Sequence, residues 1–170
     1  MPADPRLATD RAPRDHAAER AVLGGVLSDN QVYSEVATLL HPEDFDLPAH
    51  AAVYEAFVTL QHAIPARPID QLTVTAELRA QGKLGLAGGP GYLAELEGSV
   101  PTTANTLSYA RLVQEKSLKR RVIEACRDLA EIAAEPSTQI DALLDESQRR
   151  VFGIAERHRL ISPVATRCLL

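Results

Sequence analysis

The sequence predicts an all-α protein, a compact multi-helix head followed by a long antiparallel helical hairpin. Three observations carry that reading. Apolar residues recur at spacings of three and four through most of the 170-residue chain. Aromatic residues make up only 4%, with no Trp, so the core must be built from Ala, Leu, Val and Ile, which suit closely packed helices. From Thr103 to Ala134 no Gly or Pro interrupts the chain, whereas the first hundred residues are punctuated by both.

The elements follow in order. Residues 1–14, rich in Pro, Asp, Arg and Ala, have nothing to bury and are expected to form a disordered arm. From Ala17 to Leu27 the positions Ala18, Val22 and Val26, beside Leu23 and Leu27, form a helical stripe. Gly24-Gly25 lies inside that helix, where each glycine costs about 1 kcal/mol relative to alanine, so close approach of a neighbouring helix is the expected compensation. A second helix is expected over about Gln31–Leu40, with Asn30 as N-cap and Val32, Val36, Leu39 and Leu40 inward. Pro48 suits the first position of a third helix, whose Val53, Phe57 and Leu60 face the core. Residues Ile64–Pro68 read as a loop. Asp70 is placed to cap a helix carrying Leu72, Ala76 and Leu78 and ending at Gly82. A glycine-rich turn over Gly85–Gly91 then leads to a short helix with Tyr92, Leu93 and Leu96. These elements make a head over residues 15–101.

Residues 102–158 are expected to form the hairpin. Leu118, Val122, Ala125, Leu129 and Ile132 recur at helical spacing, and Ile123, Cys126, Ala130 and Ala133 widen the stripe, with Cys126 expected as a buried thiol. Glu135-Pro136-Ser137 breaks the helix. Thr138 with Asp141 reads as a capping box for the next one, whose stripe holds Ile140, Leu143, Leu144, Ser147, Val151 and Ile154. Stripes this broad exceed what one hairpin covers, and each large side chain gains about 1.5–3 kcal/mol on burial. Self-association through Leu118, Val122, Ile123, Leu129, Leu144 and Val151 is therefore expected. Folding of the hairpin back onto the head is the alternative.

Charge and motif content narrow the function classes. Residues 1–100 hold 7 Lys and Arg against 14 Asp and Glu, and the remainder holds 11 against 9. A duplex-binding domain normally concentrates positive charge on one face, so the head is a poor DNA ligand. Cys126 and Cys168 form no C-x-x-C pair, which argues against a zinc site or disulfide framework. The five histidines (16, 41, 50, 62 and 158) lack the i, i+4 spacing of a helical metal site, and His50 reads as a packing or hydrogen-bonding residue. Glu43, Asp44 and Asp46 lack the spacing of a calcium loop. The one Gly-Lys pair, Gly82-Lys83, has Glu77 where a phosphate-binding loop needs its first glycine and Leu84 where it needs Ser or Thr. No nucleotide, metal or catalytic site is indicated. No apolar run approaches the ~18–20 residues of a membrane span, and the N-terminus lacks a signal peptide's apolar core. A cytoplasmic, non-enzymatic module without a cofactor of its own is the expectation.

Several short motifs, in order, resemble one family. Glu19 with Val22-Leu23-Gly24-Gly25 is similar to the E-x-x-V-L-G-G of the N-terminal domain of DnaB-type replicative helicases. Pro42-Glu43-Asp44-Phe45 with His50 and Tyr54, Pro68-Ile69-Asp70 with Thr73, and Gly88-Gly89 with Tyr92-Leu93 and Leu96 resemble its next segments. Pro101, Asn105, Tyr109-Ala110 and Val113 resemble the entry to its long helix, with Arg120 farther along. Each match alone is weak; their order across residues 13–158 is specific.

The resemblance implies a collar domain of a hexameric DNA-unwinding ring, in which hairpins of neighbouring subunits pair and the C-terminal domain of primase docks. ATP and Mg²⁺ would belong to a following RecA-like motor region, and DNA would be met only through the full-length helicase. It also gives the basic stretch of the long helix a role. Arg111, Glu115, Lys119, Arg120 and Arg121, beside Lys116, would form the primase-docking surface, a solvated helix face being the alternative. Residues 159–170 depart from the charged linker helix the family leads one to expect, and read as a tail, an artificial end or a short natural variant. A stand-alone helical regulator of the helicase is the alternative to a collar domain, and a helical DNA-binding regulator is a weaker one.

Overall fold

A computed structural model describes residues 12–100 and 102–161, with side chains as far as Glu156. Most of the arm and of the tail, with Cys168, lies outside the described residues. All regular structure among the described residues is helical, in seven α-helices with three short 3-10 turns. The described residues divide into two compact units, residues 14–117 and residues 118–161 together with residues 12 and 13.

In the first unit, α1 (His16–Ser28) starts where Asp15 accepts a hydrogen bond from the Ala18 amide at 2.9 Å. Val22, Leu23 and Val26 are fully buried. The double glycine is explained by what lies against it. A Cβ on Gly24 would sit 2.1 Å from the Leu96 carbonyl oxygen, and one on Gly25 would sit 2.3 Å from Thr106 Oγ1. The expected close approach is thus made by two elements, α5 (Gly89–Gly98) and the start of α6 (Thr106–Ala134).

The next segment differs from expectation. Asn30–Val32 is a 3-10 turn, and the α-helix proper, α2, is Tyr33–Leu39. Asp29 caps the turn through Gln31 N. The Asn30 carboxamide instead binds both backbone groups of Ile69, donating to its carbonyl and accepting from its amide. A planar amide matches the backbone's donor–acceptor pair, and the fully buried Ile69 needs both satisfied. Val36 and Leu40 are buried as expected, Tyr33 joins them, and Val32 and Leu39 are partly covered.

Helix α3 (Pro48–His62) starts at Pro48 and places Val53, Phe57 and Leu60 wholly inside. Tyr54, also fully buried, donates to the Leu40 carbonyl at 3.2 Å and packs its ring against Phe45, with centroids 4.9 Å apart. Asp70 caps α4 (Gln71–Ala80) by accepting from Thr73 N at 2.8 Å, and Asp70 N in turn donates to Thr73 Oγ1. That cap fixes the register, and the register turns Val74, Thr75 and Leu78 inward. Leu72, 80% exposed, and Ala76 face solvent. Residues 74 and 78 lie one turn apart on one face, which 72 and 76 cannot share with 78. Gly82 ends α4 with φ +68°, Gly82 N bonding Arg79 O and Lys83 N bonding Leu78 O, the paired closure a left-handed residue allows.

Helix α6 contributes Thr106, Ala110, Val113, Gln114 and Ser117 to the core of this unit. At 1.5 Å per residue its 29 residues extend about 43 Å. Beyond Ser117 the same helix belongs to the second unit, where α7 (Ile140–Ile161) returns antiparallel to it. The turn between them is not the expected capping box. Thr138 Oγ1 donates backwards to the Ile132 carbonyl at 2.8 Å, closing the end of α6, and Gln139 O takes the first amide of α7 from Leu143.

Candidate interaction surfaces and the buried polar network

The hairpin uses one face of α7 internally and leaves a second one open. Arg150, part-buried, reaches Asp128 of α6 and Glu146 on its own helix, and Leu143, Ser147 and Ile154 lie on the same side, all partly covered. A separate set remains in solvent: Ile140 is 65% exposed, Leu144 54%, Val151 61% and Phe152 62%. These residues follow one another at helical spacing, and Val151 and Phe152, with Ala155, line a shallow depression on α7 whose rim is polar. On α6, Val122 is 46% exposed, and Cys126, Ala130 and Ala133 continue its row outward. The Cys126 thiol is exposed in the single chain rather than buried. Leu118, Ile123 and Leu129 are half-buried. The six residues expected to mediate self-association thus divide into three open ones, Val122, Leu144 and Val151, and three partly covered ones.

The charged residues singled out on α6 are placed unevenly. Arg111, Glu115 and Lys119 are exposed and recur every four residues, so they share a helix face. Arg120 and Arg121 are half-buried, and Arg120 donates to the Pro13 carbonyl at 3.1 Å. Part of the expected docking charge therefore holds the chain's own backbone.

Sequence reasoning missed a polar network inside the first unit. Glu19 of α1, 1% exposed, accepts from Asp46 N at 2.8 Å through Oε1 and from Leu47 N at 3.4 Å through Oε2. Its Oε2 is also 2.7 Å from Nδ1 of the fully buried His50, whose Nε2 is 2.6 Å from the Tyr92 hydroxyl. Arg20 lies over the Tyr92 ring, 5.8 Å from its centre. Burial pushes the Tyr92 phenol above its ordinary value against the opposing charge of Arg20, with Glu95 and Glu19 adding to the rise. Asp44, nearly buried, accepts from Ser117 Oγ at 2.6 Å and from His41 N at 2.8 Å, and Gln114 donates to the Leu39 carbonyl. Glu19, His50, Asp44 and Tyr92 all stood in the short motifs. The signal was present, but its pairing was not. Among the described residues no cluster of three metal-ligating side chains occurs, and no helix is long and apolar enough to cross a membrane.

A helical head stitched to the first turns of one long helix, with that helix returning as a hairpin, is the architecture of a helicase N-terminal domain. The chain belongs to the DnaB-like helicase N-terminal domain family, which matches residues 11–115. It is 41% identical to the replicative DNA helicase DnaB of Geobacillus stearothermophilus over 145 residues, which are 85% of this chain and 32% of that protein. Against the DnaB of Haemophilus influenzae identity is 37% over 147 residues, 31% of that protein. The chain thus spans about a third of the length of these relatives. In structure it is similar to the crystal structure of the N-terminal domain of DnaB helicase from Mycobacterium tuberculosis. The TM-score is 0.78 at 37% identity, covering 84% of this chain and 98% of the other. It is also similar to a DnaB-like replicative helicase solved in a study of its interactions with primase, with TM-score 0.68 at 27% identity over 31% of that protein.

Proposed function

We propose that this chain is the collar module of a replicative helicase, one that builds the oligomer and receives primase while making and breaking no bond itself. The observation that supports it most is the second apolar row of α7. Ile140, Leu144, Val151 and Phe152 stay more than half open after the hairpin has closed, and covering the open part of each gains about 1–2 kcal/mol. A second hairpin carries the same row and so offers a self-complementary cover. The exposed Arg111–Glu115–Lys119 face of α6 is assigned to primase on the analogy of the helicase relative solved for that interaction. Unwinding, and the ATP and Mg²⁺ it needs, are assigned to a motor region of the full-length protein in the cytoplasm, and contact with DNA to the same whole.

Sedimentation across a concentration series tests the assembly. Leu144→Asp with Val151→Asp is expected to convert a self-associating chain to monomer while circular dichroism stays unchanged, and Leu118→Asp with Val122→Asp to act in the same direction. An undiminished mass for both pairs would remove the hairpin as the association surface. Arg111→Glu with Lys119→Glu is expected to weaken binding to a primase C-terminal domain at low salt without altering mass. Equal affinity would remove that face.

A further inference from the structure

The outer face of α7 is organised about Gln148. Gln148, Val151, Phe152 and Ala155 are spaced as the four corners of a hole that receives one side chain from a facing helix. They line the shallow depression on α7, with Asp145 and Arg149 on its rim. Leu144, one turn before Gln148 and more than half open, is a knob of the right kind beside that hole. The row is apolar from Ile140 to Ala155 except at Gln148 itself, which is exposed. Asp145 and Arg149 stand on one flank of the row, the side of Phe152. Asp145 is exposed and pairs with no cation among the described residues. Arg149, its side chain 74% exposed, spends one N–H on Glu146 of its own helix and has others to give.

We propose that two copies of this chain pair through α7 antiparallel, on a dyad at Gln148, with Asp145 of each copy facing Arg149 of the other. This rests on the self-association proposed above and adds its direction and register. In a two-fold contact every insertion is made twice, so a Leu144 that enters the hole around Phe152 of the second copy is matched by the reverse. Residue 148 lies midway between 144 and 152. Both insertions are therefore made together only when the helices run antiparallel and cross at Gln148. There the two carboxamides meet, and each supplies the donor and the acceptor that the other needs. A shifted register would bury each carboxamide against apolar side chains without a partner, which costs free energy. A polar residue inside an apolar row fixes alignment in this way. Charge selects the direction. Like flanks meet in an antiparallel two-fold pair, which brings Asp145 within a turn of Arg149 of the second copy at two places. A parallel pair sets that flank against the opposite one, where Ile140, Ser147 and Val151 stand and no cation is offered. It also keeps each Leu144 level with its own twin, short of the hole.

Charge exchange on the full chain, read by sedimentation, is the test. Asp145→Arg opposes two cations at each of two contacts and Arg149→Asp opposes two anions, so either variant alone should associate on the order of tenfold more weakly. An equimolar mixture of the two variants should recover the original tightness in mixed pairs, and so should the chain that carries both changes. Recovery on mixing cannot come from the Arg149–Glu146 bond within one chain, which the mixture does not restore. Spin labels on Asp141→Cys, in a Cys126→Ser and Cys168→Ser background, read the direction. Seven residues from the dyad in each copy, they should stand roughly 20 Å apart along an antiparallel pair. In a parallel pair the separation would be about 10 Å. A mixture no tighter than either variant alone, or labels at the shorter distance, overturns the direction and register and leaves the association standing. A chain that stays monomeric at every concentration overturns the assembly proposed above and this register with it.

Discussion

Tyr54 concentrates, in one side chain, what holds the head together. Its ring is fully buried among Tyr33, Phe45 and Phe57, and its hydroxyl reaches the Leu40 carbonyl. Burial, then Tyr33 and Asp44, pushes its phenol far above the ordinary value, and burial raises Tyr33 as well. The sign of the consequence follows from proton counting. Above about pH 10 an unfolded tyrosine releases its proton while the folded one keeps it, so the folded state binds more protons and stability falls as pH rises. Urea midpoints are expected to be level from pH 7 to 9 and to decline above about pH 10, with a shallower decline in Tyr54→Phe. That variant should also lose about 1–2 kcal/mol at pH 7, because the Leu40 carbonyl is left without its donor. A tighter constraint acts at Gly24, where a methyl group would meet a backbone oxygen that has no room to yield. Gly24→Ala should therefore cost about 1–3 kcal/mol despite alanine's better helix propensity. The double glycine was legible in the sequence because it breaks a local preference. The bonds Asn30–Ile69, Glu19–His50 and Asp44–Ser117 were not, since they join residues 39, 31 and 73 positions apart and no local pattern encodes such pairs.

Among the elements, those whose ends are fixed by their own residues were legible, and those whose ends answer to distant partners were not. Helix α3 starts at its proline and α4 at its aspartate, as the local chemistry requires. The start of α2 shifted because Asn30 had a better use at Ile69 than capping. The α7 box failed because the Thr138 hydroxyl found the open carbonyl of Ile132 at the end of α6. The inward face of α4 was not legible, because Leu72 and Leu78 look alike as letters, while only the position relative to the Asp70 cap decides which of them turns to the core. Asp70→Ala measures how much the cap matters. It removes the acceptor for Thr73 N and the anchor for Thr73 Oγ1, and should cost about 1 kcal/mol by urea denaturation. Thr73→Ala alone should cost less, since it keeps the Asp70 side-chain bond to the amide. Equal losses in the two variants would show that the hydroxyl side of the box carries the energy.

The two units differ in how complete they are alone. The head encloses a continuous core of fully buried residues from five helices and the first turns of α6. In the other unit the large side chains remain half open, and the sequence showed this in advance as stripes wider than one seam. What the letters left undecided was which residues each stripe spends inside its own hairpin, because rows one or two residues apart share the helical period. Cys126 makes the difference measurable without any mutation on the surface itself. It stands in the outer row of α6 between Val122 and Ala130, exposed in the single chain. In a Cys168→Ser background it is the chain's one thiol. When a second hairpin covers that row, only the dissociated chain reacts with a thiol reagent, so the modification rate should fall with rising protein concentration in proportion to the monomer fraction. Leu144→Asp with Val151→Asp should restore the fast rate at every concentration. A thiol that reacts equally fast in dilute and concentrated protein, while sedimentation reports a growing mass, would place the association on a surface other than the outer row of α6.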